Sequence, residues 1–277
     1  MTSAPAPLVP EPWRGLVDDA ATFPPGDADL TDALHAFAAR REEWYADLVG
    51  AFVVTDTDLG TVPADVPVTV VLTTGAGAVE GVAGLAERRG TRLAGLAVAV
   101  RDATDPAGNV RRIDAAVRAC GLDVPVHVEL PGPPTAAWLA AADEVAACGL
   151  RLKLRLGHVD HDLIPDSSTV AAWIDAALDR ETVFTCTAGL HRAVRHDPEG
   201  GGAHGFLNVL AATATLWDGG TVADATEVLE QRDGASLAAA DHGTGRRWLA
   251  SFGSCSVTEP LADLISLGLL PDPKEAP

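Results

Sequence analysis

The sequence predicts an α/β protein folded as an eight-stranded barrel of the TIM type. Eight short apolar or alternating runs occur along the chain, and Ala-rich helical patterns alternate with them. Strands and helices in this strict order are typical of a parallel sheet closed into a barrel. A doubly wound open sheet is the runner-up, but no G-x-G-x-x-G follows any strand.

Each element follows from its hydrophobic pattern. The strands are predicted near residues 15–19, 50–54, 67–73, 93–100, 124–130, 151–156, 182–187 and 248–253. The helices are predicted near 28–46, 76–89, 108–120, 134–148, 167–179, 204–217, 221–232 and 257–268. About a dozen residues separate the second and third strands, so the second helix is shortened to one turn. About 60 residues separate the last two strands, which predicts extra helices there.

The chain divides into one domain with two loose ends. Residues 1–12 contain four prolines and residues 271–277 read P-D-P-K-E-A-P, so both are predicted to be disordered. No low-complexity linker interrupts residues 13–270, which form the single barrel domain. Within it, the stretch Asp166-Ser167-Ser168 is predicted to contain a helix N-cap, and Gly121 and Gly149 occupy positions typical of helix C-termini.

The net charge and the cysteine content indicate which kinds of partner and which cellular compartment to expect. The chain has 39 acidic and 20 basic residues, a formal charge of −19. A surface this acidic repels phosphate backbones and anionic lipid, so nucleic-acid and membrane binding are not expected. The four cysteines are scattered and the start of the chain lacks a signal-peptide pattern, which predicts reduced thiols and a cytoplasmic location. The expected partner is a small anionic substrate, and a homo-oligomer is left open.

Strands five and six direct charged side chains into the barrel. Side chains alternate between the two faces of a strand. The leucines between Arg151 and Leu156 share the face that packs on the helices, so Lys153 and Arg155 point into the lumen. The same alternation turns His127 and Glu129 inward on strand five.

Strand seven adds hydroxyl groups to the same lumen. If Phe184 packs outward, Thr185 and Thr187 point inward. Barrel lumens are ordinarily filled by branched apolar side chains, and charges buried there must be paired. One interpretation is a purely structural ion pair between Glu129 and a strand-six cation. The favoured one is a functional site, because the active sites of such barrels lie at the C-terminal ends of the strands.

Strand one ends in two adjacent acids, Asp18 and Asp19. Such acids can hold a metal, act as a base or bind a substrate hydroxyl. Adjacent residues face opposite ways, so only one of the two is expected to point into the site. The alternative for each is a loop acid that caps the next turn.

Polar and charged residues follow strand seven. His191 suits proton transfer at the mouth of the site, and Arg192 and Arg195 suit carboxylate or phosphate recognition. His204 and Asn208 lie four residues apart, so a helix over this segment puts them on one face as substrate-binding residues. The alternative is that these are polar loop or capping residues.

A Gly/Ser segment follows strand eight and opens the last helix. Free N–H groups at a helix N-terminus attract anions, so Gly253, Ser254 and Ser256 are predicted to bind phosphate or sulfate. The alternative is a capped turn with no ligand. Cys255 in this segment is expected to have a lowered pKa, which leaves a thiolate nucleophile open.

Metal-binding motifs are weak in this sequence. H-E-x-x-H and H-x-H are absent, and the segment from His158 to Asp162 is rich in ligand types but reads as a solvated loop. We therefore predict no cofactor and assign no metal ligands, although a divalent metal is left open.

Several segments resemble a family of uncharacterised bacterial proteins. The likeness rests on T-A-G-L-H at 187–191, H-G-F-L-N-V at 204–209, F-G-S-C-S at 252–256 with Glu259-Pro260, K-L-R at 153–155 and Asp18-Asp19. It covers most of residues 13–270 but implies no particular reaction. Members of the family often carry a lysine where this chain has Thr185, which implies altered or lost activity here if that lysine matters. A looser, fold-level analogy is to class I aldolases, whose Schiff-base lysine often lies on strand six, as Lys153 does.

These observations favour an aldolase-like lyase acting on a small anionic carbonyl compound. Lys153 is the expected amine, and Asp18, Glu129 and His191 are the expected proton-transfer groups. Arg155, Arg192 and Arg195 are the expected anion clamps, with Thr187 beside them. One alternative is a metal-dependent lyase, hydrolase or isomerase that uses Asp18 or Asp19 with Glu129 and histidines. Another is a non-catalytic barrel that only binds a small molecule.

Overall fold

A computed structural model describes residues 9–157, 164–197 and 202–272 of the chain. Its eight strands are all parallel, each pairs with the next, and β8 pairs with β1 to close a barrel. The predicted TIM-type barrel is therefore confirmed. The strands are β1 (Val17–Asp19), β2 (Val49–Thr55), β3 (Val68–Leu72), β4 (Leu93–Ala99), β5 (Val126–Glu129), β6 (Arg151–Arg155), β7 (Phe184–Thr187) and β8 (Leu249–Ser254).

Helices surround this barrel in the expected order. They are α1 (Leu30–Arg40), α2 (Val79–Arg89), α3 (Pro106–Ala119), α4 (Ala136–Ala147), α5 (Ser167–Leu178), α6 (Phe206–Trp217), α7 (Val222–Glu230), α8 (Gly234–Ala238), α9 (His242–Trp248) and α10 (Thr258–Ser266). The β2–β3 connection contains only the 3-10 turn Leu59–Thr61, and α6 to α9 fill the β7–β8 connection, as predicted. The first helix ends at Arg40, earlier than expected, and a separate 3-10 turn covers Ala46–Leu48.

Local signals set several helix boundaries. The Asp166 side chain accepts a 2.7 Å hydrogen bond from the Thr169 amide, which confirms it as the cap of α5. Asp29 caps α1 in the same way. Gly121 and Gly149 adopt positive φ values of 62° and 68° just beyond α3 and α4, as expected of C-terminal glycines.

The apolar core lies between the barrel and its helices. Leu152, Leu154 and Leu156 of the sixth strand are buried there, so the predicted alternation is correct. Valines on the outer faces of β2, β3 and β4 and the large side chains Phe52, Phe184 and Phe252 complete this layer. The opposite faces of the strands are therefore directed into the lumen, where the candidate site lies.

The start of the described chain seals the N-terminal end of the barrel. Val9 is buried and Glu11–Trp13 forms a 3-10 turn, so the prediction of disorder is wrong for residues 9–12. Arg246 of α9 donates hydrogen bonds to the carbonyl groups of Pro12 (2.7 Å), Arg14 (3.0 Å) and Ala250 (2.6 Å). The rest of the predicted disordered ends, 1–8 and 273–277, lies outside the described residues. Within the described ranges, no helix is long and apolar enough to cross a membrane.

Candidate active site

Strand register brings the predicted lumen residues together. Glu129 of β5 pairs in register with Lys153 of β6, which in turn pairs with Thr185 of β7. Arg155, two residues further along the sixth strand, pairs in register with Thr187. These positions form two successive layers at the C-terminal end of three adjacent strands.

A carboxylate and two cations form the centre of this group. Arg155 donates to Glu129 from Nε (2.7 Å) and from a terminal nitrogen (3.2 Å). The Nζ atom of Lys153 lies 3.9 Å from the same carboxylate, at the outer limit of an ion pair. The side chains of Lys153 and Glu129 are 12% and 13% exposed, whereas that of Arg155 is 47% exposed and reaches the mouth. Glu129 is thus held mainly by Arg155.

The environment of Lys153 disfavours its charged form. Burial lowers the pKa of the ammonium group most, and the nearby Arg155 cation lowers it further. The carboxylates of Glu129 and Asp18 oppose this by stabilising the ammonium. The net direction is downward, which increases the fraction of neutral amine.

Asp18 and Asp19 face opposite ways, as the alternation predicts. The Asp18 carboxylate lies in the lumen, where it accepts hydrogen bonds from the Ala51 amide (2.8 Å) and the Ser251 hydroxyl (2.6 Å). Burial raises the pKa of Asp18. Gly50 is required beside it, because a Cβ there would overlap an Asp18 carboxylate oxygen.

Asp19 points away from the lumen, toward the helix layer. It is buried, forms an ion pair with Arg40 of α1 and accepts a hydrogen bond from the Ala21 amide. Burial raises the pKa of Asp19, and the Arg40 cation opposes that rise. Its role is to join the first strand to the first helix, so Asp18 is the acid of the pair that is available to a lumen site.

His127 is a neutral group in the same lumen. It is buried, and its Nδ1 lies 3.4 Å from the Thr185 hydroxyl. Burial, with the cations of Arg151 and Lys153, lowers the pKa of His127 to about 3. Thr185 therefore contacts His127 inside the lumen.

His191 lies at the mouth, in contact with two residues from the segment after β8. Its Nδ1 is 3.1 Å from a Glu259 carboxylate oxygen, and the Cys255 sulfur is 3.8 Å from both ring nitrogens. The expected lowering of the Cys255 pKa is wrong. Burial raises the pKa of this thiol, and the negative charge of Glu259 adds to the rise.

Two of the three expected anion clamps have carboxylate partners on the helices. Arg192 forms an ion pair with Asp263 of α10 at 2.9 Å, and Arg195 forms one with Glu230 of α7 at 2.9 Å. Asp263 also accepts a 2.7 Å hydrogen bond from the Ala193 amide. These contacts tie the β7–α6 segment to the helix layer, so neither arginine lies free at the mouth of the barrel.

His204 and Asn208 do not share a helical face, because α6 begins only at Phe206. The buried His204 contacts the Pro165 carbonyl through Nε2 (2.8 Å) and Arg195 through Nδ1 (3.2 Å). A neutral ring protonated on Nε2 satisfies both contacts. Both ring nitrogens of His204 thus have partners within the protein, and substrate binding by this residue stays a prediction.

Asn208 is fully buried and joins three backbone segments. Its carbonyl oxygen accepts from the Arg195 amide at 2.8 Å, and its amide nitrogen donates to the Val228 and Gln231 carbonyls at 2.9 and 2.7 Å. Both donor hydrogens and one of the two acceptor lone pairs of the side chain are used. Asn208 therefore has a structural role.

The Gly/Ser segment before α10 is partly self-capped. The Ser254 hydroxyl accepts from the Ser256 amide and the Ser256 hydroxyl from the Glu259 amide, both at 3.3 Å. These hydroxyls occupy two of the amides that an anion would use. Gly253 lies next to Thr187, since a Cβ there would be 3.7 Å from the Thr187 hydroxyl. Anion binding at this segment stays a prediction.

Two functional partners were not identified from the sequence. Ser251 binds Asp18, and its inward position on β8 follows from the same alternation that placed Lys153. Glu259 binds His191, and no sequence pattern predicted that contact.

The described residues contain no group of three or more His, Cys, Asp or Glu side chains that could hold a metal ion. The histidine- and aspartate-rich segment from His158 to Asp162 lies entirely within residues 158–163, outside the described part of the chain. Comparison with known proteins adds no assignment: no family model matches the chain, and no curated protein matches it significantly.

Proposed function

We propose that this barrel is an aldolase-like lyase in which Lys153 forms an imine with a small anionic carbonyl compound. The observation that carries the proposal is the contact pattern of Glu129. Its carboxylate is engaged by Arg155 through two hydrogen bonds and stands 3.9 Å from the lysine nitrogen. Burial lowers the pKa of the Lys153 ammonium, and the neutral amine that results is the form that attacks a carbonyl group.

The use of lysine in this chain supports the same assignment. Of its twenty basic residues only two, Lys153 and Lys274, are lysines, and the others are arginines. A guanidinium stays protonated in proteins, whereas a buried ammonium can lose its proton and attack a carbonyl group. The one lysine of the barrel thus occupies a position where an arginine could not do the chemistry.

In the proposed reaction, residues inside the lumen carry out the chemical steps and residues at its mouth bind the anionic group of the substrate. The neutral amine of Lys153 attacks the carbonyl carbon, and loss of water from the carbinolamine gives the imine. Asp18 is the carboxyl group available to carry protons in these steps, since Glu129 is held by Arg155. The bond between the α- and β-carbons then breaks as its electron pair moves to the protonated imine, a carboxylate takes the proton of the β-hydroxyl, and the β-carbon leaves as a carbonyl compound. The enamine that remains takes up a proton on carbon, and water hydrolyses the imine to release the second product and Lys153. Arg155, with Thr187 and Gly253 beside it, is the proposed anion site at the mouth.

The metal-dependent alternative is less well supported by the contacts of its proposed ligands. Asp19 is held by Arg40, and Glu129 is held by Arg155. Glu129 and one of the two strand-one acids that the alternative could use therefore already have cationic partners, which leaves Asp18 as its available acid. A cytoplasmic location belongs to the same proposal, and it fits the four cysteines, all of which are free.

Trapping with sodium cyanoborohydride tests the proposal directly. The protein is incubated with a panel of keto acids and phosphorylated aldehydes, reduced, digested and mapped by mass spectrometry. We expect an adduct on Lys153 that is lost in Lys153→Met and in Lys153→Arg, which keeps the positive charge. Lys274→Met is the matched control, and it should leave the adduct intact. Labelling confined to Lys274 or to the α-amino group across the whole panel would refute the imine mechanism.

A further inference from the structure

A thiol, an imidazole and a carboxylate meet at the rim of the barrel, outside the lysine layer. Cys255 and Glu259 lie in the segment after β8, and His191 lies in the segment after β7. The sulfur is 3.8 Å from each ring nitrogen of His191, and Nδ1 is 3.1 Å from Glu259. A nucleophile, a base and a group that orients the base are the three parts that covalent acyl transfer requires.

The hydrogen bond to Glu259 selects the form of the imidazole. The carboxylate can only accept, so in a neutral ring Nδ1 carries the proton and Nε2 keeps its lone pair. The sulfur is 3.8 Å from both nitrogens, so Nε2 must come closer to the thiol to take its proton. Such contacts are often long in unliganded sites and shorten when substrate binds.

The surroundings of Cys255 keep its thiol protonated at rest, so the thiol needs a base to remove its proton when it attacks. Burial and the Glu259 charge raise the pKa of the thiol, so it rests protonated. The backbone of Gly26 covers one side, since a Cβ at that glycine would be only 2.8 Å from the Cys255 Cβ. The residue is nevertheless partly exposed, as Cys120 and Cys148 also are.

We propose that Cys255, His191 and Glu259 form a second nucleophilic centre, which accepts acyl groups from activated esters and thioesters. His191 Nε2 takes the thiol proton while Sγ forms a bond to the acyl carbon. The bond from that carbon to the leaving oxygen or sulfur breaks, and the leaving group departs with the proton held by His191. The product is a thioester on Cys255, which water then hydrolyses to a carboxylic acid and free thiol. Glu259 acts as a positioning residue through the imidazole.

Acetylation by p-nitrophenyl acetate tests this centre. The full-length protein is quenched at short times, and each cysteine is mapped by mass spectrometry. We expect Cys255 to be acetylated at least about tenfold faster than Cys120 and Cys148, as expected for a thiol assisted by a general base. The comparison is internal to the unaltered protein, so it does not depend on the folding of any variant. Equal rates at the three thiols would overturn the proposal.

Variants then show whether fast acetylation of Cys255 depends on His191 as a base or only on the exposure of the thiol. His191→Gln should reduce acetylation of Cys255 to the rate of the two reference thiols, and Glu259→Gln should reduce it by a smaller factor. Cys148→Ser is the matched control, and it should leave Cys255 unaffected. An unchanged rate in a folded His191→Gln protein, verified by circular dichroism, would remove the imidazole from the centre.

The outcome is independent of the imine chemistry. An acetyl group on Cys255 is a thioester, which hydroxylamine cleaves, whereas acetyl on Lys153 is an amide that resists it. Trapping by cyanoborohydride is measured at Lys153 and acetylation at Cys255. Either proposal can therefore fail while the other stands.

Discussion

Arg155 binds Glu129 in a two-point contact, with hydrogen bonds of 2.7 and 3.2 Å from different nitrogens of one guanidinium. The contact joins neighbouring strands and fixes the carboxylate at the edge of the lumen. In the mechanism that we propose, the reactivity of Lys153 thus depends on Arg155, a residue that does not itself react.

Replacing Arg155 should raise the pKa of Lys153. In Arg155→Gln the carboxylate of Glu129 is free to pair with the ammonium, and a nearby cation is lost, so both changes favour the protonated amine. We expect the rate of imine trapping near neutral pH to fall by about tenfold, the factor that corresponds to one pKa unit. The pH dependence of trapping measures this shift, and the rate should recover at higher pH. Arg151→Gln on the same strand is the control; an equal loss there would point to damage to the strand.

Asp18 should make the protein relatively more stable as the pH falls. Its folded-state pKa is raised above the ordinary 3.8, so the ionised carboxyl costs stability at neutral pH. That cost disappears as the pH falls through the raised pKa toward 3.8. The near-isosteric variant Asp18→Asn lacks this dependence. The free energy of unfolding in urea, wild type minus variant, should therefore increase with acidification; a flat difference would contradict the burial argument.

His127 should make the protein less stable as the pH falls, which is the opposite of the effect of Asp18. Its folded-state pKa of about 3 lies below the ordinary 6.5, so the unfolded chain binds the proton first and stability falls as pH drops through this window. The loss should be of the order of a few kcal/mol. Comparing Asp18→Asn with Asp18→Asn/His127→Asn by urea unfolding removes the opposing effect of the aspartate. The double variant should show the shallower acid slope, and parallel slopes would argue against a neutral buried imidazole.

Asn208 should matter for stability and not for reactivity. Asn208→Ala removes three buried hydrogen bonds and leaves an amide and two carbonyl groups without their partner, so we expect a loss of about 2–4 kcal/mol. Asn109→Ala, which removes one exposed 3.1 Å bond to the Arg101 amide, is the control and should cost well under half as much. Chemical denaturation measures both. Loss of imine trapping in a folded Asn208→Ala protein would contradict this prediction and would support a substrate-binding role for Asn208.

The sequence predicted the barrel and the lumen because both depend on short-range periodicity. The leucines of β6 alternate with Lys153 and Arg155, and this pattern alone fixes which side chains face inward. Element order then determines which strands are neighbours. The helices α8 and α9 were not predicted individually, because glycines within these short segments hide the helical pattern.

The roles of the residues after β7 could not be predicted in this way. Arg192 finds its partner 71 residues away in Asp263, and Asn208 binds carbonyl groups of the next helix and the residue that follows it. A polar side chain near a strand end has the same sequence signature whether it contacts a substrate or a neighbouring helix. Whether such a side chain contacts a substrate or a neighbouring helix depends on how distant segments of the chain pack together.

The contact between Arg246 and the Pro12 carbonyl spans 234 residues. It lies beside the seam where β1 meets β8, so this seam cannot form on the ribosome until almost the whole barrel has been translated. Throughout that time the first strand carries an open edge of N–H and C=O groups, which is the kind of surface that recruits other chains.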